Sequence, residues 1–454
     1  MAVINTQSSG MLSALLTLES ADTPMHLGCL LRFRLPKKAS ADFLAELAAG
    51  FRAQTELIAP WHWRLKHAGL RALRPQWQEC SSVDMEYHFR QIGLPAPGGE
   101  RELGVLVSRL HSQVLDMSRP PWECYLIEGL DEGNFALYLK VHRALVDVAG
   151  GPEIFHAFLA RSAAEQSMPA PWTTSIDSDD LRKAPSFPLA ETLRAPTGLG
   201  SAFGRLLSAG VRKNQALAVP YSAPRSALNG PVNNQRRFAT QQYQRSRLQA
   251  LSKALGHDDD TVILLYLCGS ALRRFLKEFN ALPDEPLIAA VPQSKGSLSD
   301  FSLSFVSLAS DQVRALERFA TVQRSYAAAQ EHLGAVPKSL RTAYSLAAGA
   351  PFLLGQLSGT RPWMPAMFNV FVNIMPAPEE QRYLGGAVLE SIHSLSMLMP
   401  GAALSVSCQR YAGTVNIGLT GARDTLPHLQ RLAVYMEQAL EQLESEVSRK
   451  ENAV

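Results

Sequence analysis

Three side chains in one short stretch, Lys140-Val141-His142-Arg143-Ala144-Leu145-Val146-Asp147, carry the most evident chemistry of this chain. An imidazole takes a proton from a hydroxyl near neutral pH, and a nearby carboxylate can orient it. A guanidinium does neither: it stays protonated and has no acceptor atom. Buried, it needs carboxylate, phosphate or carbonyl partners, and Asp147 is one candidate for Arg143. The residues before the histidine alternate as a strand does. Phe135, Leu137, Leu139 and Val141 share one face, and Ala136, Tyr138, Lys140 and His142 the other. Carried one step further, the period puts Arg143 with the apolar set. A helix-like run begins near Pro152, so the chemistry sits on a strand-to-helix turn. His26, in Thr23-Pro24-Met25-His26-Leu27-Gly28, reads as a locally bonded histidine at a strand start rather than a ligand or base.

The elements that must position this turn follow from periodicity and punctuation. Helical spacing predicts helices over 41–52, 102–115, 245–255, 262–276, 316–332, 339–357 and 427–447, with a break near Pro351. A crossing helix is expected within 193–217. Strand-like runs fall at 29–33, 63–65, 84–89, 124–130, 135–141, 238–243, 287–291 and 297–311, and a closing hairpin spans 404–420 around Gly413. Weakened patterning and the polar run 175–180 mark the end of a first domain. The expected division is 1–180, a crossover at 181–235, and 236–454.

Length and composition bound the class. At 454 residues the chain exceeds one ordinary domain. Its 44 basic and 41 acidic side chains leave a net charge of +3, which gives no electrostatic case for nucleic acid. Five dispersed cysteines without metal spacing read as reduced thiols in a cytoplasmic protein. Residues 1–10 lack a basic segment followed by an apolar one, so no secretory signal is expected. The longest apolar run, 262–272, is well short of a membrane span, so contact with lipid would be peripheral.

The line His142-Arg143-Ala144-Leu145-Val146-Asp147-Val148 resembles the HHxxxDG signature of the bacterial wax ester synthase/diacylglycerol acyltransferase family, which groups with chloramphenicol acetyltransferase and peptide-synthetase condensation domains. His142 and Asp147 match; Arg143 stands where the family has its general-base histidine, and Val148 where it has glycine. Further likeness lies in Pro24-Met25-His26-Leu27-Gly28, Arg119-Pro120-Pro121-Trp122-Glu123, the interdomain line from Pro220 to Ala239, and Asn373-Ile374-Met375-Pro376-Ala377-Pro378, which is similar to the family's Ser-Asn-Val-Pro-Gly-Pro. Departures recur at polar positions. Ile263-Leu264 replace an Asn-Asp pair, and Pro292-Gln293-Ser294-Lys295-Gly296 lacks the arginine of a Pro-x-Ser-x-Arg line.

The resemblance implies an α/β fold of two chloramphenicol-acetyltransferase-like domains, each a mixed sheet flanked by helices, with a channel between them. It implies a long-chain acyl-CoA donor, a fatty alcohol or diacylglycerol acceptor, and no metal or redox cofactor. By the same resemblance His142, Arg143 and Asp147 are the catalytic positions, and Asn373 and Ser294 are substrate-binding candidates. The basic pair Arg236-Arg237 is either a solvated strand start or a contact to a CoA phosphate. Two functions stay open: an acyl-CoA:alcohol O-acyltransferase using His142, or a catalytically impaired homologue that binds acyl-CoA or neutral lipid, or partners an active paralogue, with Arg143 as an anion or structural anchor. A condensation domain is disfavoured by the Pro-Pro-Trp-Glu segment. Peripheral contact with a membrane or lipid inclusions, and homo- or hetero-oligomers, are compatible with all of this.

Overall fold

The computed structural model of the chain describes residues 3–4, 16, 19–65, 76–149, 151–174, 216–257, 259–293, 302–337, 340–357 and 365–452. Ser294 and the greater part of the expected crossing helix lie outside them.

Two six-stranded mixed sheets organise the molecule. The first contains β2 (His26–Arg34), β5 (Phe89–Gly93), β6 (Trp122–Glu128), β7 (Asn134–His142), β12 (Tyr383–Leu384) and β13 (Ala387–Leu395), in the order β12-β13-β2-β7-β6-β5. The second contains β8 (Arg236–Gln244), β9 (Ile288–Gln293), β10 (Ser302–Ser307), β11 (Val370–Pro376), β14 (Leu404–Tyr411) and β15 (Thr414–Ala422), in the order β10-β9-β11-β14-β15-β8. A small three-stranded sheet joins β1 (Val3–Ile4), β3 (Trp63–Leu65) and β4 (Trp77–Glu79). The helices are α1 (Phe43–Ala53), α2 (Met85–His88), α3 (Glu100–Ser112), α4 (Arg143–Val148), α5 (Arg245–Ala254), α6 (Thr261–Glu278), α7 (Ala315–Gly334), α8 (Arg341–Leu357) and α9 (Arg431–Glu451). Among the described residues no helix is long and apolar enough to cross a membrane.

Each sheet has its own apolar core. The first is built around Trp61, Trp122 and Trp172, with Trp122 packed between the other two indoles at ring separations of 5.3 and 5.2 Å. The second surrounds α6, whose Ile263 and Leu264 are wholly buried. A polar pair there would need partners that this core does not offer. All five cysteines are free thiols, four of them buried.

The halves interlock. Strand β13 comes late in the chain yet pairs antiparallel with β2, so residues of the expected C-terminal domain complete the first sheet. Its His393 Nδ1 donates to the Ile417 carbonyl at 3.2 Å, and the Ser394 hydroxyl donates to Gln409 Oε1 at 2.9 Å. Gly418 lets β15 approach so closely that an added Cβ would stand 2.3 Å from the Ser394 carbonyl oxygen. On the other side α3 covers the free edge of β8. Ser112 Oγ accepts from Arg236 N–H at 2.8 Å and Ser108 Oγ from Phe238 N–H at 2.9 Å, so two serines one helical turn apart satisfy edge donors two residues apart.

Three local expectations are corrected. The 84–89 segment is not a strand: Asp84 accepts from Tyr87 N–H at 3.3 Å and starts the single turn α2, and the strand begins only at Phe89. Helix α8 runs through Pro351 without a break. Tyr221 braces the helix there: its hydroxyl accepts from Phe352 N–H and donates to the Ala348 carbonyl, both at 3.0 Å. Arg236 is not solvated at its strand start but 3 % exposed.

Candidate active site

Strand β7 is buried on both faces along its whole length, because the core around Trp61, Trp122 and Trp172 covers one face and α3 lies across the other. Lys140 can therefore sit on it fully buried only with partners. Its ammonium meets Glu123 Oε2 at 2.7 Å and donates to the carbonyls of Leu110 and Gln113. The strand ends at His142, whose N–H donates to the Pro121 carbonyl at 2.9 Å.

His142 is the N-cap of α4, so Arg143 opens a helix instead of continuing the strand alternation. The imidazole is 1 % exposed, and both of its nitrogens are engaged. Nδ1 accepts from Ala144 N–H at 3.2 Å, which leaves the ring proton on Nε2, and Nε2 faces the two Glu19 oxygens at 3.1 and 3.2 Å. Burial works against the Glu19 charge, but the interaction with His142 and the Met25 N–H outweigh it and hold the carboxyl below its ordinary value. Glu19 is the site residue that sequence reasoning passed over. The available signal was an acid just ahead of the Thr23-Pro24 turn, whose strand β2 runs in register with β7 so that His26 faces His142.

Arg143 and Asp147 are one turn apart on α4 and partly buried. Burial lowers the guanidinium pKa and the Asp147 charge opposes this. Asp147 thus acts on Arg143 as the expected opposite charge. The Arg143 N–H donates to the Met25 carbonyl at 2.8 Å, while its side-chain Nε, buried, has no hydrogen-bond partner among the described residues. Met25, fully buried, packs against Phe352 and Leu353 of α8 and against Met397 and Met399 beyond β13. The turn therefore lies where apolar side chains from both halves of the chain converge.

His26 is buried and donates from Nε2 to the His111 carbonyl at 2.8 Å, a partner far away in sequence rather than the local one expected. His111 donates from Nε2 to the Ser396 carbonyl at 3.3 Å and accepts at Nδ1 from Tyr138 O–H at 2.8 Å. Burial and the nearby Arg236 push the His111 pKa down to about 3, so this ring is neutral and structural. Asn373 lies mid-strand in β11, paired in register with Ser407 of β14. Asn369, four residues earlier and fully buried, is the more heavily bonded amide. It accepts from Ile288 N–H at 2.8 Å and donates to the Pro224 carbonyl at 2.6 Å and to Asn229 Oδ1 at 2.7 Å. It fastens the interdomain line to the second sheet.

Two models of the wax ester synthase/diacylglycerol acyltransferase family match the chain, the catalytic domain over residues 9–263 and the C-terminal domain over residues 299–444. This chain belongs to that family. A putative diacylglycerol O-acyltransferase of Mycobacterium tuberculosis is 36 % identical to this family member, with 94 % of each chain covered. The O-acyltransferase WSD of Acinetobacter baylyi is 30 % identical over 96 % of each. The solved wax ester synthase/diacylglycerol acyltransferase of Marinobacter aquaeolei VT8 superposes with a TM-score of 0.77 at 33 % identity, over 98 % of this chain and all of that one. The starter condensation domain of rhizomide synthetase shares the fold at a TM-score of 0.57 and 14 % identity. The two-domain, chloramphenicol-acetyltransferase-like architecture expected of a wax ester synthase/diacylglycerol acyltransferase is thus present.

Proposed function

We propose that this family member retains the binding of a long-chain acyl-CoA, together with a fatty alcohol or diacylglycerol, and that its ester-forming step is suppressed. It then serves as a lipid-binding homologue, or partner of an active paralogue, at the periphery of a lipid surface. In the family's reaction a base takes the acceptor hydroxyl proton, the oxygen attacks the thioester carbonyl, and the CoA thiolate leaves and is protonated. The observation that carries the proposal is the engagement of His142. With Nδ1 capping α4 and the Nε2 proton directed at Glu19, neither nitrogen is free to take a proton from an acceptor. Arg143 cannot replace it. Loss of a positioned base costs about 10²- to 10⁴-fold in rate. What Arg143 offers instead is a donor: its buried Nε, unpartnered among the described residues, suits a carbonyl or an anionic oxygen of a ligand.

The test is release of CoA thiol from palmitoyl-CoA with hexadecanol or a diacylglycerol, for the unmodified protein and for Arg143→His, together with direct binding of palmitoyl-CoA. The expected result is binding by both, release near background in the first and about 100-fold or more above it in the second. Fast turnover by the unmodified protein overturns the proposal.

A further inference from the structure

A cavity of about 910 Å³ is walled by α3, β8, β2 and β13 and does not include His142, Arg143 or Asp147. Its charge is one-sided. Arg32, Arg101, Arg109, Arg236, Arg237 and Arg423 line it against the single carboxylate of Glu100. The chain as a whole carries only +3, so positive charge is gathered here out of proportion. Two of the six are engaged within the fold: Arg32 with Glu100, and Arg236 with the carbonyls of Asn233 and Asp22. Arg101, Arg109, Arg237 and Arg423 have no carboxylate partner among the described residues. The Nε atoms of Arg32 and Arg237 are buried without a hydrogen-bond partner among the described residues. Arg101, Arg109 and Arg423 are exposed and hydrated, but the two buried Nε donors are costly to leave unpaired, and arginine forks suit phosphate oxygens in pairs. The volume is that of a small-molecule or cofactor site.

We propose that this cavity binds a nucleotide-sized phosphorylated anion, the chemistry shared by the phosphoadenosine end of CoA and by free nucleotides. The CoA source rests on the acyl-CoA reading above; the free-nucleotide source does not. The site touches the motif at one remove. Arg236 donates to the Asp22 carbonyl at 3.1 Å, in the segment that holds Glu19 against His142, and Ser112 of the wall follows His111. An anion seated on Arg237 therefore adjoins the strand whose first residue steadies that segment.

The experiment is calorimetric titration of the full chain with CoA, dephospho-CoA, 3′,5′-ADP, ATP and palmitoyl-CoA. It is run on the unmodified protein, on Arg109→Gln/Arg237→Gln, and on Arg314→Gln, an exposed arginine elsewhere. Thermal unfolding checks that all three fold alike. Salt-sensitive nucleotide binding is expected, weakened about tenfold or more in the double variant and unchanged in Arg314→Gln. Arg237→Lys, which keeps the charge, restores part of the loss. A preference of about tenfold for CoA and 3′,5′-ADP over dephospho-CoA assigns the CoA end, since the extra phosphate then supplies a charge-assisted contact; equal binding of ATP assigns free nucleotides. The proposal falls if no probe binds or if the double variant binds as the unmodified protein does. Palmitoyl-CoA bound unchanged by the double variant removes this site and leaves the acyl-CoA reading standing. Nucleotides bound through these arginines, with no gain from the palmitoyl group, do the reverse.

Discussion

Substituting His142 separates a structural imidazole from a catalytic one. In the structure its ring does two things: it caps α4 through Nδ1, and it donates to a largely buried carboxylate through Nε2. A lost N-cap costs about 1 kcal/mol. A hydrogen bond to a charged group contributes about 1.5–3 kcal/mol. His142→Ala should therefore destabilise the fold by about 2.5–4 kcal/mol. His142→Asn keeps a side-chain oxygen for the Ala144 N–H and a donor for Glu19, and should stay within about 1 kcal/mol of the parent. Urea unfolding followed by tryptophan fluorescence reads this directly, since Trp61, Trp122 and Trp172 stack in the core of the same half. Paired with it is CoA release in the Arg143→His background, where turnover is expected. His142→Asn should leave most of that turnover intact. If His142→Asn folds with parental stability and abolishes release, His142 is a base and its purely structural role is refuted. If His142→Ala unfolds at the parental urea concentration, the ring contributes nothing as a cap.

Acid should act through Glu19. Its folded pKa is depressed, so the stability it contributes is fully present above its ordinary value of 4.5 and is lost as pH falls below that. Urea midpoints over that range should decline less steeply for Glu19→Gln than for the parent. Lys140→Met strands the buried Glu123 charge and should cost about 3–5 kcal/mol. Adding Glu123→Gln, which keeps an acceptor for the Tyr125 hydroxyl, should recover most of the loss in the same unfolding assay.

The end of the strand was legible because apolar alternation over 135–141 stops at a polar cluster, but the helix expected from Pro152 begins already at Arg143, and Pro152–Phe155 form only a short 3-10 turn. Burial of Lys140 was not legible, since a lysine on an alternating strand ordinarily marks a solvated face and its partner Glu123 lies on the neighbouring strand. The bonding of His142 was hidden for the same reason: Glu19 meets it only once β2 and β7 are paired. Strand β13 went unread because its alternation, with Ser391, His393 and Ser394, looks half-exposed; His393 and Ser394 are satisfied by the second sheet rather than by water. The break expected at Pro351 overlooked a hydroxyl from residue 221, which no local pattern could supply.

The late arrival of β13 bears on how the chain is made. During synthesis, β2 and β7 are complete about 250 residues before the segment that covers the outer edge of β2 leaves the ribosome. Until then the nascent first sheet carries a row of unpaired edge groups, a template for strand addition by a neighbouring chain. A fragment ending at residue 263, where the match to the catalytic-domain model stops, keeps that edge open permanently. The two family units are therefore not separable pieces: the one that holds the motif depends for its solubility on a strand encoded in the other.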